Sequence, residues 1–472
     1  MTDLILINPY PEDAYGINEG TVEPPLGPAY LGAIAERSGI RCGIIDANVL
    51  RMGTDDVLSA VKEAAPRMVG ITVNLYTYQT ALKLADGIKE ALPGVVVIMG
   101  GPTPSSTPVK VLDSCRADAV IVGEGEETFE EILRNYKSSK PLFDDINGVV
   151  YKDGEEIVVN NPRGFMKEID DIPMPAYHLL PDLKTYRSRA RKKPVAPILT
   201  SRGCPYQCVF CSKDVFKNVC RMRTPENIIK EIDMLVSRYG VKQIDILDDN
   251  FTLDRKRTER ILDLIIDRGY DLYINCQSGV RTESLDQALI DKMVKAKIWK
   301  MPIGVESGDP DMLRKIKKRL DLDHVLKVSH MARKAGMIVY GFFIIGLPGD
   351  TPESMQKTID FAKKMDPHIA NFCLSIPFPG TELYDMVKNG GGKFLVDIDN
   401  GISAGFYSNE VFYEMDGMDR NIVLKYYKKA IRDFYFRPGK MLELASTMGS
   451  KEEFKWLVET GFSVLRNMWK KN

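Results

Sequence analysis

A short apolar run followed by an amphipathic helical stretch recurs through most of this 472-residue chain, stopping near residue 140 and restarting at Pro197. Buried parallel strands read as continuous Val/Ile/Leu runs, and each needs a crossover, usually a helix, before the next. The pattern therefore predicts two α/β units rather than one. In the first, DLILINP, RCGIIDA, MVGITVN, GVVVIMGGP and DAVIVGEGE read as strands, separated by helical stretches such as PAYLGAIAERSG and QTALKLADGIKEAL. They predict a five-stranded doubly wound, Rossmann-like sheet, whose ligands sit at the carboxyl edges of its strands. That edge carries Asn8, Asn74, Gly100, Gly101 and Gly123.

INGVVYKDGEEIVVN then reads as a hairpin around Asp153-Gly154, and the polar, proline-rich stretch after it reads as a linker. The restarted pattern predicts strands near 197–200, 242–247, 272–276, 299–305, 337–346 and 369–376. Six β/α units fall short of the eight that close a barrel, so an open (β/α)6 partial barrel of TIM type is expected, with its chemistry at the strand carboxyl ends. The expected division is 1–140 for the first unit, 141–195 for hairpin and linker, 196–394 for the partial barrel, and 395–472 for a small helical C-terminal domain.

Acidic and basic residues nearly cancel, 65 against 64, so no global field points to nucleic acid. The N-terminus lacks a basic, apolar leader, and no run of about eighteen apolar residues occurs. A cytoplasmic protein is the expectation. The last stretch, FKWLVETGFSVLRNMWKKN, places Phe454, Leu457, Phe462, Leu465 and Trp469 near helical spacing, with Lys470 and Lys471 at its end. Such a stripe fits domain packing, or peripheral contact with a membrane or lipid-like substrate.

The eight cysteines are too scattered for a disulfide framework, yet three of them stand together in PILTSRGCPYQCVFCSKD as C-x3-C-x2-C. Thiolates are soft ligands suited to iron–sulfur clusters or zinc. A zinc site completed by Cys220 would lack the second C-x2-C unit that zinc knuckles normally carry. Three ligands on a four-iron cubane leave one iron open, and an open position is what a catalytic metal keeps.

The Cys204, Cys208 and Cys211 spacing, with Phe210 before the last cysteine, resembles the radical-SAM superfamily signature. The resemblance implies a 4Fe–4S cluster whose open iron chelates S-adenosylmethionine, and an electron that breaks the sulfonium to yield a 5′-deoxyadenosyl radical. It implies an external electron donor such as flavodoxin or ferredoxin. Phe210 would pack beside the adenine, or simply fill the barrel mouth. Asp248 and Asp249, in DILDDNFT, would face the amino end of S-adenosylmethionine, and Glu306, in IGVESGD, its ribose. Arg281, in NCQSGVRTESL, is placed to pair with the methionine carboxylate or to form a structural ion pair.

A doubly wound sheet ahead of such a barrel resembles the cobalamin-binding arrangement of the class B radical-SAM methylases. The resembling segments are EPPLGPAYLGAIAERSG, VGITVNLYTYQTALKLADGIKE, IMGGPTPSSTP, VGEGEETFEEI and the late FYFRPGKML. Many cobalamin domains give cobalt a histidine, but the first of the four histidines here is His178. The resemblance is thus to members with no histidine beneath the metal. By position, Asn74, Leu75 and Tyr76 would floor the corrin, while Gly100, Gly101, Pro102 and Ser105 would receive the nucleotide tail, with Glu124 a further cofactor-binding candidate. The implied reaction is methylation of an unactivated carbon in a small-molecule or lipid-like substrate. An oxidative cyclase of the same architecture is the alternative. A methylthiotransferase would need three more cysteines in the front unit, where only Cys42 and Cys115 occur.

Overall fold

The computed structural model describes residues 2–12, 22–138, 140–187, 190–402 and 409–449, with the helical positions 454 and 458. It divides into two compact units. One comprises residues 1–187 with 212–217 and 397–405, and the other comprises 188–211, 218–396 and 406–472.

In the first unit, β1 (Leu4–Asn8), β2 (Cys42–Asp46), β3 (Met68–Thr72), β4 (Val96–Gly100) and β5 (Ala119–Ile121) are parallel in the order β2-β1-β3-β4-β5. The connecting helices are α1 (Leu26–Arg37), α2 (Ala47–Leu50), α3 (Thr54–Ala64), α4 (Tyr78–Ala91), α5 (Pro102–Ser106), α6 (Pro108–Asp113) and α7 (Glu126–Ser138). Successive side chains of a strand face opposite sides. Ile5 and Ile7 accordingly enter one core with Val57, Val61, Leu84 and Ile88 of α3 and α4, while Leu4 and Leu6 enter another with Ile34 of α1 and Phe129 of α7. Both faces are covered, which is why these strands are apolar throughout. The hairpin expected to open a linker instead extends the sheet: β6 (Val149–Asp153) and β7 (Glu156–Val159) add antiparallel to β5.

Two later pieces of chain complete this unit. Ser106 Oγ donates to Asp214 (2.5 Å). The Ile402 N–H donates to Leu75 O (3.2 Å), Gln79 to Asn400 O (2.7 Å) and Lys110 to Asp399 O (2.7 Å).

The second unit is a six-stranded parallel sheet of β8 (Val195–Ile198), β11 (Gln243–Ile246), β12 (Tyr273–Cys276), β13 (Ile298–Glu306), β14 (Ile338–Ile345) and β15 (Ile369–Leu374). Its order is sequential and β8 does not pair with β15, so the barrel is open, as the six β/α repeats predict. The short strands β9 (Ser201–Arg202) and β10 (Arg221–Met222) pair antiparallel beside it. Its helices are α8 (Pro225–Tyr239), α9 (Arg255–Arg268), α10 (Gln287–Lys295), α11 (Pro310–Lys315), α12 (Leu322–Lys334), α13 (Pro352–Met365) and α14 (Glu382–Asn389). Their starts are written in the sequence. Thr224 caps α8 with Pro225 in its first turn, and Thr351 and Ser354 form a capping box on α13 behind Pro352.

Beyond residue 394 a separate helical domain was the expectation, but residues 397–402 belong to the first unit and 409–449 to the barrel unit. After β16 (Lys393–Phe394) and β17 (Tyr413–Glu414) come α15 (Arg420–Tyr435) and α16 (Lys440–Ser446). Tyr435 exchanges hydrogen bonds with Ala370 of β15 (3.1 and 2.8 Å), and Asp366 accepts from Arg437 (2.6 Å) and Lys440 (3.1 Å). Of the apolar tail stripe, Phe454 is exposed and the other positions lie outside the described residues. No helix among the described residues is long and apolar enough to cross a membrane.

This junction carries a pH dependence. His368 Nδ1 accepts the Val339 N–H (3.0 Å), and burial, followed by the charge of Arg333, holds the ring down to about 4 from 6.5. Unfolded chain takes up a proton below 6.5 that the fold refuses until about 4, so stability is full above the first value and falls as pH drops through this window. After discounting for partial exposure the expected loss is about 2 kcal/mol. Urea unfolding at pH 7 and 4.5 should show a steeper decline in wild type than in His368→Gln; equal declines would refute the assignment.

Candidate active site

The pairing of β9 with β10 closes the base of a loop that carries Cys204, Cys208 and Cys211, all half-exposed and in no disulfide. Gly203 opens the loop at φ +81°, a conformation that favours glycine. Val209 pins its middle: its N–H donates to Ile316 O (3.2 Å) and its carbonyl accepts from the Leu383 N–H (2.9 Å). The Cys211 N–H donates to Cys208 O (3.2 Å), closing the turn between the last two thiols. Among the described residues no three His, Cys, Asp or Glu side chains converge on a single-ion site. Three thiols spread along a loop suit a cubane, whose ligated irons occupy separate corners. Burial, then the charges of Cys204 and Asp248, push the Cys220 thiol up to about 11.

Behind this loop Asp248 is fully buried at the end of β11. It accepts from Thr200 N (2.6 Å), Thr200 Oγ1 (2.5 Å) and Ser201 Oγ (2.6 Å). Burial raises its carboxyl, while these donors and the Arg257 guanidinium pull it back. Its oxygens are thus engaged in fastening β11 to the residues leading into the cysteine loop. The adjacent Asp249 is exposed, and Asn250 is buried.

The Glu306 carboxylate and the Lys318 ammonium form a buried ion pair at 2.9 Å. Burial alone would lower the Lys318 ammonium, but Glu306 and the Cys208 thiol outweigh it and leave it raised. Arg281 lies over the Tyr206 ring at 3.6 Å, pairs with Glu283 (2.5 Å), and donates to the carbonyls of Lys318 (2.8 Å) and Arg319 (3.1 Å). Arg281 thus forms the structural ion pair that was one of its two expected roles, and it stands over Tyr206 of the cysteine loop. A Cβ on Gly304 would fall 2.6 Å from Glu306 Oε1 and 3.1 Å from Lys318 Nζ, so glycine makes room for the pair. Phe210 is half-buried within the loop.

In the first unit, Asn74 Oδ1 accepts from the N–H groups of Tyr76 (2.9 Å) and Thr77 (3.1 Å), a side-chain-closed turn that leaves Asn74 exposed and Leu75 buried. Gly101 has φ +113°, and a Cβ there would meet Val73 O at 2.7 Å. Ser105 Oγ donates to Gly101 O (2.8 Å) and accepts the Gly123 N–H (2.9 Å), tying the loops after β4 and β5 together. Pro102 is exposed and Glu124 half-buried. Asn8 donates to the buried Asp46 (2.8 Å), which Tyr186 also engages (2.8 Å). These loops offer exposed turn residues and close-packed glycine backbone, a surface suited to a bulky ligand lying over the sheet edge.

Two family models match the chain: the Radical SAM superfamily over residues 198–362 and the B12 binding domain over residues 13–133. An uncharacterised methyltransferase of Pyrococcus horikoshii is 35% identical over 388 residues, covering 81% of this chain and 82% of that protein. This chain belongs to the cobalamin-dependent radical-SAM enzymes. The cytidylyl-2-hydroxyethylphosphonate methyltransferase of Streptomyces wedmorensis is 29% identical over 76% of this chain and 77% of its own length. The anaerobic magnesium-protoporphyrin IX monomethyl ester cyclase of Rubrivivax gelatinosus is 26% identical over 76% of this chain and 66% of its own length. In fold, the radical S-adenosylmethionine methyltransferase TsrM of Kitasatospora setae superposes with a TM-score of 0.70 at 17% identity, over 93% of this chain and 90% of that one.

As a cobalamin-dependent radical-SAM enzyme, the protein takes a 4Fe–4S cluster, S-adenosylmethionine and cobalamin as cofactors. Sequence reasoning missed Lys318, Val209, and the Thr200 and Ser201 donors. Lys318 is one of five basic residues in RKIKKR and carries no local mark; only the fold turns it inward.

Proposed function

We propose that this enzyme methylates an unactivated carbon of a small-molecule or lipid-like substrate. The observation that carries methylation is the 35% identity to a methyltransferase over 81% of the chain, beside the lower identity to the cyclase. In this reading Cys204, Cys208 and Cys211 hold the cluster. Glu306 and the exposed Asp249 lie nearest the S-adenosylmethionine ribose and amino group, and Asp248 serves from behind as the anchor of the loop. Asn74, Leu75 and Tyr76 floor the corrin, offering cobalt no imidazole. Together the cofactors supply an electron, a radical initiator and a methyl group that a carbon radical can accept.

The Asn74 turn and the Gly101–Ser105–Gly123 hydrogen bonds do the chain's own work: they hold bare backbone at the sheet edge in one conformation before the ligand arrives. The test needs no substrate. Anaerobically reconstituted enzyme, reduced and given S-adenosylmethionine, should release about one S-adenosylhomocysteine per bound corrinoid. An oxidative cyclase would release 5′-deoxyadenosine and no S-adenosylhomocysteine, and that outcome would transfer the chain to the second reading.

A further inference from the structure

The segment FYFRPGKML, residues 434–442, is only half absorbed by the fold. Inward, Phe434 is fully buried, Tyr435 holds Ala370, and Arg437 and Lys440 hold Asp366. Outward, Phe436, Met441 and Leu442 are 61%, 55% and 78% exposed around the turn that Pro438 and Gly439 make. Large apolar side chains left in water together mark a surface that meets something.

The position of the turn and the charge around it point to the counterpart. Asp366 and Pro367, both bound by Lys440, lead into β15, and Leu444 of α16 packs with Ile338 and Ile369, the first residues of β14 and β15. The turn therefore lies at the amino ends of the barrel strands, whereas the cysteine loop follows the carboxyl end of β8. Crossover helices run back along the strands, so α12 and α13 finish at this same end, with Lys334 and Lys364 exposed in their last turns. Along α15, Lys425, Lys428, Arg432 and Phe436 recur every three or four residues on one outer side. Residues 420–440 hold seven basic residues and one acidic. The acids at this end are engaged locally: Asp360 by Lys363, Asp366 by Arg437 and Lys440, Asp433 by Lys429 and Arg432, and Glu443 by Arg333 and Lys440. The outer lysines of α12, α13 and α15 are left as a net positive rim around the apolar turn.

We propose that this end of the barrel docks on an anionic lipid surface, with Phe436, Met441 and Leu442 entering the interface and the surrounding lysines facing its headgroups. Basic residues near such a surface each strengthen attachment several-fold, and inserted apolar side chains add to it. A protein partner fits less well, because three side chains on one turn fall short of the about 800 Å² per partner that a stable interface buries. A bilayer needs no complementary shape. With the docking face at the amino ends of the strands, the cysteine loop stays turned away from the lipid. Attachment goes beyond the reaction proposed above and holds whichever reaction the enzyme performs.

The test is anaerobic sedimentation of the full-chain holoenzyme with vesicles of phosphatidylcholine containing about one-third phosphatidylserine. Wild type should sediment with them, come off as salt rises, and ignore vesicles of phosphatidylcholine alone. The triple variant Phe436→Ser/Met441→Ser/Leu442→Ser should bind about tenfold more weakly, and Lys425→Gln/Lys428→Gln should lose a similar factor. All five side chains face outward, so thermal midpoints and cleavage of S-adenosylmethionine should match wild type.

Failure of wild type to sediment would overturn the proposal. So would undiminished binding by the triple variant, which would hand attachment to the chain beyond residue 449. Retention on immobilised polyglutamate without vesicle binding would assign the face to an acidic protein instead. Concentration-dependent dimerisation that the triple variant abolishes, again without vesicle binding, would assign it to a second copy of the chain.

Discussion

An alanine at Cys208 is expected to leave a folded protein that, after anaerobic reconstitution, has lost the 4Fe–4S absorbance and holds far fewer than four irons. The substitution removes one of three thiols from a loop whose backbone is independently secured by the β9–β10 pair and by Val209 between Ile316 and Leu383. The fold should therefore survive, with a thermal midpoint close to that of wild-type apoprotein. Enzymes of all kinds contribute on the order of 10⁶-fold or more over uncatalysed chemistry, and with no cluster to pass the electron, 5′-deoxyadenosine formation should fall to background. Cys220→Ala provides the contrast. Cys220 stands outside the C-x3-C-x2-C run, so the variant should keep its iron. Equal losses in the two variants would revive a four-thiolate site.

The second large effect is expected at Asp248. Asp248→Ala leaves three donors, the Thr200 N–H and the hydroxyls of Thr200 and Ser201, without their acceptor in a fully buried position. It also removes a carboxylate whose charge bears on the half-buried Arg257 guanidinium. Orphaned buried donors cost about 1–3 kcal/mol each when nothing replaces the partner, and breaking a buried charged network costs about 3–5 kcal/mol. We expect a loss near the upper end, about 4 kcal/mol by urea unfolding, together with poor iron retention because the entry to the cysteine loop loses its fastening. Asp248→Asn should fall between, since an amide keeps one acceptor oxygen and adds two donors where donors already point. If Asp248→Ala unfolds like wild type and only binding of S-adenosylmethionine weakens, the residue faces that cofactor and is no anchor.

Much of this was legible in the sequence, for physical reasons that can be named. Strand runs such as LILIN and VVIMG are apolar because α/β sheets bury both faces, and the partition of Ile5 and Ile7 from Leu4 and Leu6 into two cores shows that rule at work. The open barrel followed from counting repeats. The cysteine loop was legible because soft ligands at fixed spacing have few other uses.

What escaped was long-range. The hairpin at Asp153-Gly154 gave no sign of whether its strands would pair with β5, since hairpin signals are local and sheet edges are not. The tertiary role of residues beyond 394 was hidden for the same reason: Tyr435, Arg437 and Lys440 read as an ordinary amphipathic surface until Ala370 and Asp366 are set beside them. The bonds from Thr200 and Ser201 to Asp248 were hidden too, because a strand-end acid looks the same in sequence whether it faces a ligand or two hydroxyls of its own chain.

The first unit draws on residues 212–217 and 397–405 as well as 1–187, and this has a consequence for how the protein comes into being. Domains generally fold as units during synthesis, N-terminal first. Here every strand of the sheet precedes Arg187, but the Leu75 carbonyl and the Gln79 and Lys110 side chains find their partners only after residue 402 has left the ribosome. A fragment ending at Arg187 would carry every strand of the sheet and still present an unfinished cofactor edge, so corrinoid affinity measured on such a fragment should understate that of the whole chain. The late-arriving segments are ordered in time: the bonds at Leu75, Gln79 and Lys110 form only on chains whose barrel has already been synthesised.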